Sequence, residues 1–108
     1  MSGGGGGGGG GGAPDDDVDC DKLKFEAQVT SPQASVVGTL SVGDVLEVNV
    51  VNMKGQMVVQ VVKNGKPAGG LAGPDATRLR NCINDGHRYK ATVRTINGGQ
   101  VRVQVVHI

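Results

Sequence analysis

The sequence predicts an α+β fold that is mostly β, namely a small barrel or strongly bent antiparallel sheet of five to six strands with one helix at about residues 74 to 85. Three observations support this prediction. The apolar residues are mostly valines, and Phe25 and Tyr89 are the only aromatic residues; β-branched side chains suit the pleated surface of a strand. Several segments alternate apolar and polar residues, as half-buried strands do. One segment has apolar residues at helical spacing.

The N-terminal segment, residues 1 to 22, is predicted to be a disordered tail. It combines ten consecutive glycines with Pro14 and an acidic run. Such a segment buries too little apolar surface to offset the entropy of ordering its backbone. The glycine run also lacks the lysine and the serine or threonine of a phosphate-binding loop. A single β-rich domain is therefore predicted over residues 23 to 108.

The first half of this domain is predicted to hold three strands. Residues 24 to 30 alternate apolar and polar side chains until Ser31 and Pro32 end the strand. After a short apolar piece and a turn at Gly43, residues 45 to 51 alternate in the same way. Residues 56 to 62 have apolar side chains on both faces, including Val58 and Val62. These two valines either meet a second chain or are covered by the helix.

The next segment combines turn chemistry with glycine. Asn64 and Gly65 fit a two-residue hairpin turn, in which both central residues need positive φ. The returning strand at residues 66 to 71 contains proline, so it is predicted to be an edge or bulged strand. Gly69 and Gly70 lack side chains, which predicts that another group approaches their backbone closely.

A helix and a final hairpin complete the domain. Pro74 suits the first helical position, Asp75 complements the helix dipole, and Gly86 follows the helix end. The predicted apolar stripe of this helix consists of Ala76, Leu79, Cys82 and Ile83. Residues 88 to 96 and 100 to 107 alternate apolar and polar side chains, and Asn97, Gly98 and Gly99 join them as a hairpin.

The two cysteines and the absence of a targeting signal predict the compartment. No apolar run approaches the length of a membrane span, and the start lacks the features of a signal peptide. These features predict a cytoplasmic protein without membrane contact. Cys20 falls in the predicted tail and Cys82 in the helix, so both are predicted to be free thiols.

The residues of the usual catalytic and metal sites are sparse. The only histidines are His87, expected to serve the helix C-terminus, and His107, expected to be exposed on a terminal strand. Neither has a partner at a suitable spacing, which argues against catalysis. The cysteines and histidines also lack the ligand spacing of metal sites. The sequence therefore predicts a protein that is not an enzyme, with no metal and no cofactor.

The charge of the chain is unevenly distributed. Residues 1 to 62 hold three basic and eight acidic residues, a net charge of −5, whereas residues 63 to 108 hold eight basic and two acidic residues, a net charge of +6. This asymmetry is compatible with an anionic partner for the second half. An acidic tail that balances a soluble basic domain is the alternative.

Candidate nucleic-acid-binding residues lie on the final hairpin. Period-two geometry places them on the face opposite Tyr89 and Val93, and phosphate contacts would make binding salt-dependent. Two arginines of the helix extend the set. Charged outward faces also serve solubility, and the scarcity of aromatic residues removes the stacking platforms of single-strand binders. The candidates are Arg78, Arg80, Arg88, Lys90, Arg94 and Arg102.

Residues 42 to 106 contain, in order, the segments VGDVLEVNVV, VVQVVKNGKPAGGL, the helix, GHRYKATVRTI and VRVQVV. Together these segments resemble the HIRAN domain family. Gly65, Gly69 and Leu71 match a turn and strand of the family, and Gly86 and Val93 match the helix exit and the following strand. The resemblance implies a small β-barrel module of DNA-processing proteins, some of which bind single-stranded DNA ends. The chain has NMKGQ where many members carry an acidic segment. It also lacks identifiable aromatic residues that would contact a DNA end.

These observations lead to two function hypotheses. The first is a non-enzymatic binding module that contacts DNA through the basic C-terminal hairpin. The second is a protein-interaction adaptor or a small homo-oligomer, supported by the flexible tail, the glycine-bearing edge and the apolar faces of residues 56 to 62.

Overall fold

The computed structural model describes residues 19 to 108, a six-stranded antiparallel sheet with two helices. Residues 1 to 18, most of the predicted tail, lie outside the described residues. A 3-10 turn at Cys20–Lys22 precedes the first strand. The elements that follow are β1 (Lys24–Gln28), α1 (Ala34–Val37), β2 (Val45–Met53), β3 (Gln56–Lys63), β4 (Lys66–Leu71), α2 (Pro74–Asn84), β5 (Tyr89–Asn97) and β6 (Gln100–His107).

The strands are arranged in the order β1-β6-β5-β2-β3-β4, and every neighbouring pair is antiparallel. The mostly β fold and the bent sheet are as predicted, but the sheet is not closed into a barrel. The segment that follows β1 reaches the opposite edge of the sheet at β4, where Thr30 and Gly70 form an isolated bridge. Each of these residues donates its backbone N–H to the carbonyl of the other, at 2.8 and 2.9 Å.

Gly69 makes this approach possible. A Cβ atom at this position would overlap the side chain of Val29 and lie 2.7 Å from the carbonyl oxygen of Thr30. The backbone of the segment after β1 thus occupies the space that a side chain would fill. The predicted close approach to Gly69 and Gly70 is confirmed, and the approaching group is the chain itself.

A tight turn connects β3 to β4 at the predicted position. Asn64 and Gly65 both have positive φ, 52° and 81°, as the two-residue hairpin requires. Lys54 and Gly55 have the same conformation between β2 and β3, with φ of 54° and 84°. β4 is an edge strand, and the β3–β4 register shifts at Val61 and Val62. The predicted edge or bulged strand is therefore confirmed.

Helix α2 begins at the predicted Pro74 and ends one residue before the predicted Asp85, which is its C-cap. Gly86 follows with a φ of 102°. Its N–H donates to the carbonyl of Ile83, and the N–H of His87 donates to that of Cys82, both at 3.0 Å. This Schellman motif satisfies the last carbonyls of the helix. Among the described residues, no helix is long and apolar enough to cross a membrane.

The core consists largely of valines on alternate positions of the strands. Val101, Val103 and Val105 of β6 are fully buried, as is Leu79 of α2, which packs on the same side of the sheet. The helical stripe is buried at Ala76, Leu79 and Cys82 and half-buried at Ile83. On the second face of β3, Val62 is buried and Val58 half-buried within the chain itself. The short helix α1 occupies residues predicted only as an apolar piece.

Candidate functional site

The structure places four of the predicted basic residues on or beside the outward face of the β5–β6 hairpin. Lys90, Arg94 and Arg102 are exposed, and exposed Arg88 immediately precedes β5. A bulge between Val93 and Thr95 interrupts the period-two pattern at Arg94. Arg94 nevertheless remains on the outward side, because its side chain lies beside that of Glu26, an exposed residue of β1.

Acidic side chains lie among these basic residues. Glu26 of β1 lies between Arg94 and Arg102, with nitrogen–oxygen distances of 4.0 and 3.9 Å. Glu47 of β2 is the register partner of Lys90, so these two side chains leave the sheet side by side. Exposed pairs of this kind contribute little stability. Their consequence is electrostatic, since they reduce the positive potential that a phosphate would meet.

The two arginines of α2 lie apart from this face. Helix α2 packs on the core side of the sheet through Leu79, whereas the hairpin's basic side chains leave the opposite side. Arg78 pairs with Asp75 at 3.4 Å. Arg80 is half-buried in a shallow depression beside Met57 and Leu71. The six predicted residues therefore form two separate groups, four at the hairpin and two on α2, and the structure does not bring them together.

Strand β2 has a free edge over half of its length. Its ladder with β5 ends at the pair Glu47 and Lys90, whereas its ladder with β3 continues to Met53 and Gln56. Residues 48 to 53 therefore have a partner strand on one side only. We call this stretch the free edge.

The backbone groups of the free edge alternate in direction. In an antiparallel ladder, alternate residues direct N–H and C=O to opposite neighbours. The carbonyl of Asp44 accepts a hydrogen bond from the N–H of Val93 in β5 at 2.8 Å. The backbone N–H and C=O groups of the even-numbered residues in β2 thus point toward β5. Beyond the end of the β2–β5 ladder, the same alternation directs the backbone groups of Val50 and Asn52 to the open side. Within the described residues, no loop donates a backbone hydrogen bond to them.

A groove of about 600 Å³ lies along residues 45 to 50 of β2 and so includes only the first half of the free edge. Its apolar wall includes Val48, Val50, Met57 and Ile83, and Met57 is 43% exposed. The polar groups around it are Glu47, Asn49, Asn84, His87, Arg88 and Lys90. The charged side chains among them are the cations of Arg88 and Lys90 and the carboxylate of Glu47. The groove thus combines the open backbone groups of Val50 with an apolar wall and a cationic end.

The prediction of free thiols is wrong, because Cys20 and Cys82 form a disulfide. The 3-10 turn at Cys20–Lys22, which the sequence assigned to the tail, lies against the domain, and the next residue, Leu23, is buried. This packing brings the Cys20 Cα within 5.6 Å of the Cys82 Cα on α2. The two cysteines are 62 positions apart, so only the folded chain shows that they meet.

Tyr89 anchors the same turn. Its hydroxyl donates a 2.6 Å hydrogen bond to the carbonyl oxygen of Cys20. Burial raises the pKa of the Tyr89 hydroxyl, and the carboxylate of Asp21 raises it further. The hydroxyl therefore stays protonated and remains a donor to Cys20 near neutral pH. Tyr89 also lines the groove, so the disulfide-bonded turn supports one of its walls.

The two histidines are partners, which the spacing did not indicate. Nδ1 of His87 and Nε2 of His107 are 3.1 Å apart, and the ring of His107 lies edge-on to Tyr89. His107 is half-buried rather than exposed as predicted, because it lies beside Tyr89 in the β5–β6 ladder. His87 contributes its backbone N–H to the helix end, and its side chain turns toward His107. The pairing follows from the register of the β5–β6 hairpin, which places His107 opposite Tyr89, two residues after His87.

No family model, curated protein or solved structure matches the chain. Within residues 19 to 108, no group of three or more histidine, cysteine, aspartate or glutamate side chains converges on a point that could hold a metal ion.

Proposed function

We propose that the domain is a non-enzymatic binding module that accepts an extended peptide along the free edge of β2. The observation that carries this proposal is the early end of the β2–β5 ladder, which leaves residues 48 to 53 unpaired on one side. Extended peptides add to exposed sheet edges because only another strand matches the spacing of the free N–H and C=O groups. Six strand residues span about 20 Å, enough for a short peptide.

The groove specifies the side chains of the peptide. Val50 and Met57 offer apolar contacts to alternate residues of an added strand. Arg88 and Lys90 outnumber Glu47 at one end, so an acidic residue of the peptide would complement this end. The occupant is therefore an extended segment of a partner protein with alternating apolar residues and an acidic residue near one terminus.

A labelled synthetic peptide tests this proposal. The probe is an octapeptide of alternating valine and threonine that ends in two aspartates, compared with a copy N-methylated at alternate backbone nitrogens. Methylation removes the N–H donors and keeps the side chains, so we expect binding by fluorescence anisotropy to weaken at least tenfold, equivalent to about 1.4 kcal/mol. Amide NMR shifts should cluster at Val50 and Asn52.

Charge-reversal variants provide the control for the same probe. The double variant R88E/K90E should weaken binding of the acidic peptide, whereas K66E, an exposed substitution on β4 away from the groove, should not. Equal affinity for the methylated peptide, shifts confined to the outward face of the hairpin, or no binding of the probe would each contradict the proposal.

The second candidate function is nucleic-acid binding through the hairpin. The resemblance to the HIRAN domain family implies the same function. The observation that favours it is the exposure of Lys90, Arg94 and Arg102 on one outward face. Residues 19 to 108 also hold eleven basic and seven acidic residues, a net charge of +4. Three phosphate contacts would make the affinity for double-stranded DNA fall about 40-fold between 50 and 200 mM salt.

Glu26 offers a sharp test of this second candidate. Because its carboxylate lies beside both arginines, E26Q should strengthen binding of labelled single- and double-stranded DNA about threefold, while R94E/R102E should weaken it at least tenfold. Anisotropy titrations at the two salt concentrations measure both effects. K66E, which changes the net charge by −2 where R94E/R102E changes it by −4, is the control for a charge reversal outside the hairpin. Absence of binding at 50 mM salt, or the same affinity for all variants, would exclude this function.

The compartment is part of the proposal. The sequence predicts the cytoplasm, where thiols are kept reduced, whereas persistent disulfides belong to oxidising compartments. The Cys20–Cys82 bond therefore favours an oxidising location. Self-association of the domain is the remaining alternative from the sequence, and light scattering at high protein concentration measures it.

A further inference from the structure

His87 and His107 bring two ring nitrogens together beside the groove. Nδ1 of His87 lies 3.1 Å from Nε2 of His107, and the ring centroids are 5.3 Å apart. Both residues are half-buried. His87 also lines the groove, so solvent reaches this pair from one side.

The fold holds both rings in place. His87 follows Gly86 in the Schellman motif, and its N–H donates to the carbonyl of Cys82 at 3.0 Å. His107 is the register partner of Tyr89 in the β5–β6 ladder, and its ring packs edge-on against the tyrosine at 5.2 Å. The tyrosine is itself fixed by its hydrogen bond to Cys20. Neither histidine is therefore on a loose loop.

The distance between the nitrogens suits a shared metal ion. Imidazole nitrogens bind Zn²⁺ at about 2.0 to 2.1 Å, so two of them at bond angles between square and tetrahedral lie about 2.9 to 3.3 Å apart. The observed 3.1 Å falls inside this interval. To bind one ion, the rings would have to rotate until each lone pair points about 40° off the line that joins the two nitrogens, and water from the groove would complete the coordination.

We propose that His87 and His107 form a two-imidazole site for a divalent transition metal ion. Imidazole suits Cu²⁺, Ni²⁺ and Zn²⁺, and affinity for a given nitrogen site is highest for Cu²⁺ in this series. An N–H···N hydrogen bond between the rings accounts for the same distance without a metal. The test therefore measures metal affinity.

Calorimetric titration of the untagged chain with CuCl₂, NiCl₂ and ZnCl₂ tests the proposal. We expect one equivalent of Cu²⁺ to bind, and H87N and H107N each to bind at least tenfold more weakly, since each retains only one imidazole. Asparagine keeps a hydrogen-bonding side chain, which limits the disturbance of the fold. The variant D15N/D16N/D17N removes three of the five carboxylates of the acidic run, another potential metal binder, and should bind Cu²⁺ as the parent chain does.

Two further readouts distinguish the site from a structural histidine pair. Electron paramagnetic resonance of the one-to-one Cu²⁺ complex should show coupling to two imidazole nitrogens in the parent chain and to one in each variant. Cu²⁺ should also raise the thermal midpoint of the parent chain more than that of H87N or H107N, because a ligand stabilises the state that binds it. Equal Cu²⁺ affinity in the parent chain and both variants, or a spectrum without imidazole nitrogens, would overturn the site.

Discussion

Reduction of the Cys20–Cys82 disulfide is expected to lower the free energy of unfolding by about 4 kcal/mol, the chain entropy associated with a closed loop of this length. The bond joins residues separated by 62 positions, so it restricts most of the unfolded domain. In the folded state it also holds the turn whose carbonyl accepts the Tyr89 hydrogen bond. Urea unfolding with and without a phosphine reductant measures the difference.

The double variant C20S/C82S is the control for this experiment. It should unfold like the reduced parent chain, and the reductant should leave its unfolding curve unchanged. Thiol titration of the oxidised parent chain should find no reactive cysteine. Two reactive thiols, or a parent chain whose stability is insensitive to the reductant, would show that the bond does not form.

Substitution of Gly69 by alanine is expected to cost about 3 kcal/mol, because overpacking costs about 1 to 3 kcal/mol and a displaced bridge also loses hydrogen bonds. The added Cβ would overlap Val29, which is buried, and would lie 2.7 Å from the Thr30 carbonyl oxygen. Relief of this contact requires movement of the Thr30–Gly70 bridge. Urea unfolding of G69A measures the loss.

Gly99 provides the matched control. It lies in the turn between β5 and β6, and a Cβ atom there would have no atom within 4 Å beyond its own residue and its two chain neighbours. G99A makes the same chemical change without the close approach, so its stability should stay within about 0.5 kcal/mol of the parent chain. Equal stabilities for G69A and G99A would contradict the tight Thr30–Gly70 bridge.

Local patterns were sufficient for most of the secondary structure. Alternation places Val101, Val103 and Val105 on one face of β6, and all three are fully buried. Pro74 and Gly86 mark the two ends of α2 because their backbone preferences act within one turn of the helix. Features of this kind depend on neighbours within a few positions, which the sequence displays directly.

The basic face of the hairpin shows where local patterns stop. Period-two geometry correctly places Lys90 and Arg102 outward, but it does not place Glu26 between Arg94 and Arg102. That position follows from the pairing of β1 with β6. The bulge at Arg94 is equally hidden, because an extra residue in one strand is defined only against its partner.

The candidate site was mostly invisible in the sequence. The free edge of β2 depends on where β5 leaves the ladder, and the spacing of His87 and His107 indicates no pairing until the hairpin register is known. The sequence does not indicate the disulfide because it predicts Cys20 to lie in a tail, whereas the turn at Cys20–Lys22 packs beside α2. Each of these features joins segments that are distant along the chain.

The sequence by itself determined the valine-rich strands, the single long helix and its ends, and the turns, since each follows from side-chain pattern or backbone preference over a few residues. Only the tertiary structure decided the disulfide, the histidine pair, the free edge and the acidic neighbours of the basic residues. The physical reason is that strand order and register arise from packing of the whole core, and a shift of one residue in register would change every one of these contacts.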